Sequence, residues 1–302
     1  ITVTASGALD IGVKGATGPG QIDTVALTVD DGAAAVATIA LGTPTLTGVE
    51  KLSINAVDNV TVTALTGAAS VDTLTLTGSG TQSITTGAIT AANFAVNGSA
   101  ATGALTVTAA AATVGVSITG GTGNDALTGS NQADILVGGA GDDSLTGGQG
   151  LDTLTGGAGK NTFVFANNST GTPSATAFDT ITDFRAGTGN VIDFGATAIS
   201  VTAGGSGAAG QASVGANGVA TLNAADNTLA LQLTAVAAAV AASGGASVAG
   251  ESVIWQNGSD AYLFISDATD GLSATDVLVK LTGVTVGAGG LTITGGDITA
   301  IA

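Results

Sequence analysis

The chain predicts an all-β protein, a parallel β-solenoid (β-helix or β-roll) followed by a β-rich C-terminal region with one short helix. Three observations lead to that class. Residues 120–164 repeat with a period of nine. Upstream, short segments alternate Thr or Ser with Val, Leu or Ile and are bounded by Gly, Asn and Asp, which is how half-buried strands read. Hydrophobic residues make up 44% of the 302 residues but aromatics only 3%, so the apolar groups are small and suit thin stacked layers better than a thick core.

Taken in order, residues 1–119 read as solenoid coils. Their strand segments are DTVALTV, EKLSINA, NVTVTAL, VDTLTLTG, GALTVTA and VGVSITGG, spaced roughly 10 to 25 residues apart. A sandwich of hairpins is the competing reading, but no Asn-Gly turn joins paired strands in this region. Residues 120–164 then divide into GGTGNDALT, GSNQADILV, GGAGDDSLT, GGQGLDTLT and GGAGKNTFV. The sixth position holds Asp125, Asp134, Asp143, Asp152 and Asn161, and the eighth holds Leu127, Leu136, Leu145, Leu154 and Phe163.

Each nonapeptide reads as half a coil. Its glycines allow a sharp turn with positive φ and close backbone approach. Its carboxylate offers a hard anionic oxygen, and Ca²⁺ takes six to eight oxygen ligands. The residue at position eight points to the other side of a three-residue strand and fills a narrow core. A nonapeptide of this pattern is a known calcium-binding β-helix repeat. Two nonapeptides complete a coil, so residues eighteen apart stack. Asp125, Asp143 and Asn161 form one column and Asp134 and Asp152 the other, which gives about three ions between vertical neighbours. GSNQAD lacks the second and fourth glycines, so the Asp134–Asp152 site is expected to be looser. GGAGKN ends in the uncharged Asn161 beside Lys160, which reads as a cap where metal binding fades.

Residues 165–302 form the β-rich C-terminal region. It opens with a polar link to about residue 200, in which Asp179, Asp183 and Asp193 are expected to be solvated turn carboxylates rather than added ligands. The stretch NAADNTLALQLTAVAAAVAASGG is the one good helix, with Asn223 as cap, Asp226 in the first turn and Gly244 at the end. Leu229, Leu233, Val236 and Val240 share a face suited to packing on strands. QNGSD between two apolar runs is the clearest hairpin turn, and Trp255, Tyr262 and Phe264 are expected in the core.

Composition narrows the function. The chain has no Cys, His or Met. Thiol nucleophiles, disulfides, thiolate zinc sites and the commonest general base are therefore missing, and no enzyme is expected here. A start without Met reads as a fragment or processed product. Twenty-two acidic against five basic residues give a net charge of −17, which repels nucleic acid and anionic lipid and attracts cations. No apolar run reaches the length of a membrane span, so membrane insertion is not expected.

The nonapeptides resemble those of the RTX (repeats-in-toxin) calcium-binding proteins exported by bacterial type I secretion. DTITDF, AYLFISD and DVLVKLTGV resemble, more weakly, the segments that follow such repeats. The resemblance implies that calcium is bound by Asp125, Asp134, Asp143, Asp152 and Asn161 together with the turn residues Gly121, Gly123, Gly138, Gly139, Ala140, Gly141, Gly147, Gly148, Gln149, Gly150, Gly156 and Ala158. It also implies an uncleaved C-terminal export signal, for which TITGGDITAIA is suitably small and uncharged. Within the family, RTX proteases need a His-rich zinc motif and RTX lipases a His partner, and neither is present. The repetitive Thr/Val/Ala coils look most like the C-terminal part of an RTX-type S-layer (surface-layer) protein. That reading expects a secreted, cell-surface structural subunit. Its partners are copies of itself, the type I apparatus during export, and a cell surface reached through an anchoring region outside this stretch. The alternative is the calcium-binding export module of an RTX exoenzyme or adhesin whose active domain lies upstream.

Overall fold

Period-two alternation in the first half of the chain winds it into parallel coils. The computed structural model describes residues 2–3, 10–12, 24–30, 38–42, 45–47, 49–65, 71–165, 173–184, 189–194, 200–201, 207–208, 210–241, 251–267, 272–294 and 297–301. They fall into two units, residues 1–148 with 157–159 and residues 149–156 with 160–302.

In the first unit, every coil gives one strand to each of two parallel sheets. One sheet runs Thr24–Val29, Lys51–Ala56, Thr73–Gly78, Ala95–Ala101, Ser117–Thr119 and Ile135–Ala140. The other runs Thr38–Gly42, Asn59–Leu65, Gln82–Thr86, Leu105–Thr108, Ala126–Thr128 and Ser144–Thr146. Parallel pairing between successive coils excludes the hairpin sandwich, because a parallel neighbour needs a crossover and not a tight turn. Asn97-Gly98 does not turn the chain: it lies inside a strand, where the register shifts between Asn97 and Ala100.

Coil length falls along the unit. Lys51 faces Thr73 and Thr73 faces Ala95, a step of twenty-two residues. Ser117 then faces Ile135 and Ala126 faces Ser144, the step of eighteen that the nonapeptides predict. The core columns do not break at this change. Leu52, Leu74, Val96, Ile118 and Leu136 stack inward in one sheet. Val62, Ile84, Val107, Leu127 and Leu145 do so in the other. All ten are at most 2% exposed, so the eighth position of the repeat is the core position. Outward positions carry hydroxyls, as in the half-buried column Thr85, Thr108, Thr128 and Thr146.

In the second unit the coil pattern passes into antiparallel strands. Thr153 faces Thr180 and Thr162 faces Val191, both in parallel, so described parts of the expected polar link are strands. Asp179 is fully buried, which overturns its reading as a solvated turn carboxylate. Asp179–Ile181 pairs in parallel with Val277–Leu281, which continues antiparallel to Asp260–Ile265 and Glu251–Asn257. The hairpin expected at QNGSD is present, with Asn257 opposite Asp260 and Gly258 at φ 65°. Val191–Asp193 pairs antiparallel with Asp297–Ile301, itself paired with Leu291–Thr294.

The one helix among the described residues, Leu229–Ala241, packs Leu233, Val236 and Val240 into a cluster with Val253, Trp255, Tyr262 and Phe264. Trp255 stacks on Tyr262 at 5.7 Å, and its indole N–H donates to the buried Gln232 Oε1 at 3.1 Å. The helix cap differs from expectation. Thr228 Oγ1 accepts the Leu231 N–H, while Asn223 Oδ1 accepts from Ala225 in a separate turn and no acidic residue lies in the first helical turn. A cap has to lie directly before the first helical residues, and Asn223 is too far upstream. Gly244, the expected helix end, lies outside the described residues.

Candidate metal centre

The turns between strands stack as the strands do. In the first unit, residues 120–124, 138–142 and 157–159 lie one above another. A Cβ on Gly139 would collide with the Gly121 carbonyl, one on Gly157 with the Gly139 carbonyl, and one on Gly159 with the Gly141 carbonyl. Gly139, Gly141, Gly157 and Gly159 have φ of 118°, 125°, 89° and 116°, a region open to glycine at low cost. On the opposite edge Gly148 has φ 112° and stacks on Ser130, and Gly150, in the second unit, has φ 131°. Neighbouring turns are also tied by main-chain bonds, Ala140 N–H to the Gly121 carbonyl at 3.0 Å and Gly141 N–H to the Ala158 carbonyl at 2.9 Å.

The aspartates stand inside these turns as buried rungs. Asp125 and Asp143 are each 2% exposed and Asp134 1%. Asp125 N–H donates to Asp143 Oδ1 at 2.8 Å, which places the two carboxylates eighteen residues apart in one column as the repeat arithmetic requires. Asp125 Oδ1 accepts from Leu105 N–H at 2.8 Å and its Oδ2 from Gly121 N–H at 2.6 Å. Asp134 Oδ1 accepts from Val116 N–H at 2.7 Å, and its carboxylate also takes the N–H and hydroxyl of Ser130. In the second unit, Asp152 and Asn161 are equally buried. Asp152 N–H donates to Asp179 Oδ1 at 2.8 Å and Asn161 N–H to Asn190 Oδ1 at 2.9 Å. Asn161 is therefore followed by another rung.

That continuation was missed at the sequence level because its steps are twenty-seven and twenty-nine residues, not eighteen. The signal was present in local form: Asp179-Thr180-Ile181 repeats Asp152-Thr153-Leu154, and Asn190-Val191-Ile192 repeats Asn161-Thr162-Phe163. Asp183 belongs to the same edge, accepting the Gly156 N–H at 2.8 Å. Asn124 was also missed; its Oδ1 accepts the Asp142 N–H at 2.9 Å.

The electrostatics favour a cation. Burial pushes the carboxyls of Asp125 and Asp134 above the ordinary carboxylate range, against the N–H bonds that lower them. Asp143 is pushed up to about 6, by burial first and then by the negative charges of Asp125 and Asp142. A column of buried carboxylates that resist joint ionisation is what a divalent cation would stabilise. Among the described residues no three Asp, Glu, His or Cys side chains form a group that could hold a metal ion. A hard cation here has to take much of its oxygen shell from main-chain carbonyls, which the glycine turns bring close together. The residues present fit calcium on those terms.

Comparison with curated proteins finds no match. Residues 117–145 and 128–163 match the RTX calcium-binding nonapeptide repeat, a description that covers four copies. The stacked glycine–aspartate turns of this chain are RTX calcium-binding nonapeptide repeats, and they form coils of a parallel β-solenoid.

Proposed function

We propose that the chain is part of a structural subunit of a bacterial surface (S-layer) lattice whose folding, type I export and self-assembly depend on calcium. The observation that carries this reading is the join between two kinds of coil. Hydroxyl-faced coils of twenty-two residues, whose few charges include Lys51, Asp58 and Asp72, run without a break in the core into coils in which every nonapeptide turn holds a buried Asp or Asn. A repetitive wall of this kind offers surface to neighbouring copies, and chemistry-bearing side chains are few in it. In calcium-poor surroundings, the aspartate columns repel and the glycine turns have a large conformational entropy to lose. Calcium, when bound, supplies the positive charge that those columns lack, so binding free energy becomes folding free energy. Asp143 and the main-chain carbonyls of the Gly139–Gly141 turn would hold the ion. The chain stays extended for export and folds outside the cell, where calcium near millimolar fills sites of Kd around ~10⁻⁴–10⁻³ M.

The partners on this reading are other copies, the type I apparatus and a surface anchor outside these residues. The charge of −17 repels nucleic acid. Among the described residues no helix is long and apolar enough to cross a membrane. Electron microscopy of the full-length protein with calcium and in excess chelator tests the proposal. Ordered two-dimensional sheets that need calcium are expected. Dispersed monomers at saturating calcium would overturn the lattice role in favour of an export module, and hydrolysis of any ester, peptide or glycoside by this chain would overturn the non-enzymatic reading.

A further inference from the structure

The first two nonapeptides share the repeat sequence but not the turn geometry of the later ones. Gly139, Gly141, Gly157 and Gly159 occupy the left-handed region, as do Gly148 and Gly150. Gly121 and Gly123, at the same two positions of the first repeat, do not, and the second repeat has Ser130 and Gln132 there. In both early turns the carboxylate takes the N–H four residues before it, Gly121 for Asp125 and Ser130 for Asp134. Its other oxygen takes an N–H from the coil above, Leu105 for Asp125 and Val116 for Asp134, as Asp143 Oδ1 takes the Asp125 N–H. The turn at 120–124 is bound upward as well, Thr122 N–H to the Ala101 carbonyl at 3.1 Å.

We infer that Asp125 and Asp134 are latch residues and not calcium ligands. They tie the first two nonapeptides to the coil above, and ion binding begins at the turn that starts with Gly138. A donor N–H aimed into a turn stands where a cation needs an acceptor, and like partial charges exclude it. Each latch bond joins a buried carboxyl oxygen to a main-chain N–H at 2.5–2.8 Å. Asp125 and Asp134 therefore hold the start of the roll to the coil above whether or not calcium is present. This inference rests on the calcium reading of the later turns.

The test uses the full chain. Calcium per chain is measured by elemental analysis after dialysis against a calcium buffer, and Tm is measured at saturating calcium. Asp125→Asn and Asp134→Asn should keep the parental calcium content while Tm falls by about 5 °C or more. Asp143→Asn should lose at least one ion. If a latch variant fails to fold, Ser130→Ala replaces it; this keeps the Ser130 N–H bond to Asp134 but removes the hydroxyl that donates to Asp134 and to the Val114 carbonyl and accepts the Gln132 N–H, and it should lower Tm at unchanged calcium content. Loss of calcium from Asp125→Asn, Asp134→Asn or Ser130→Ala, in parallel with Asp143→Asn, overturns the latch assignment and leaves the calcium reading standing. A parent chain that retains no calcium overturns the calcium reading itself, and the latch assignment with it.

Discussion

Replacing Leu145 by Ala removes one of the few side chains that hold two adjacent coils together. Leu145 is fully buried and sits directly beside Leu127 in the parallel ladder, with one such apolar side chain per nonapeptide. A coil of eighteen residues has no second layer from which neighbours could move in, so the cavity stays open. A buried Leu→Ala costs about 3–5 kcal/mol where the site cannot collapse. Folding is coupled to ion uptake, so the loss should appear as a higher calcium requirement. Taking ~3 kcal/mol and about 1.4 kcal/mol per decade, the calcium midpoint rises about tenfold if two ions bind on folding, and about a hundredfold if one does. Far-UV circular dichroism during a calcium titration reads that midpoint. Ile135→Ala, at 52% exposure on the outer face of the same coils, is the control and should move it less than about twofold. Midpoints within twofold of each other for the two variants would refute the assignment of position eight as the core position.

Gly139→Ala places a side chain at φ 118° against the Gly121 carbonyl, so it should cost at least ~1–2 kcal/mol in denaturant unfolding at saturating calcium, whereas Ala158→Ser, on an exposed site, should be near neutral. Gln232→Ala leaves the Trp255 indole N–H without its buried acceptor, a loss of ~1–3 kcal/mol. Trp255 is the sole tryptophan, so its fluorescence follows that unfolding directly. Asp276 is fully buried, and its carboxyl is pushed up to about 6, by burial first and then by the charge of Asp267, against the N–H bonds of Asp267 and Ser273. The folded state holds this proton more tightly than the unfolded one. Asp276 therefore contributes most below pH ~4, and its contribution is lost as pH rises from about 4 through about 6. Asp276→Asn should flatten that slope in Tm at fixed excess calcium, and an unchanged slope would assign it to other groups.

The sequence by itself determined what is local and periodic. A glycine pair and an aspartate every nine residues specify turn, rung and strand within each repeat. Leu127 and Leu145 announce their inward column because a three-residue strand has only one inward centre. The charge of −17 and the lack of His, Cys and Met limited the chemistry without reference to any fold. Tertiary structure decided whatever depends on the coil next door. GGTGND and GGAGDD are nearly the same string, yet their turns differ, because residues 120–125 bond to the coil above at Ala101 and Leu105. The rungs at Asp179 and Asn190 fall off the nine-residue period, and only the parallel ladders of the folded chain bring them under Asp152 and Asn161. Thr228 takes the cap expected of Asn223 because the helix begins only where its apolar face meets Trp255 and Phe264. A repeat fixes its own torsional options, and the neighbour that supplies its hydrogen bonds selects among them.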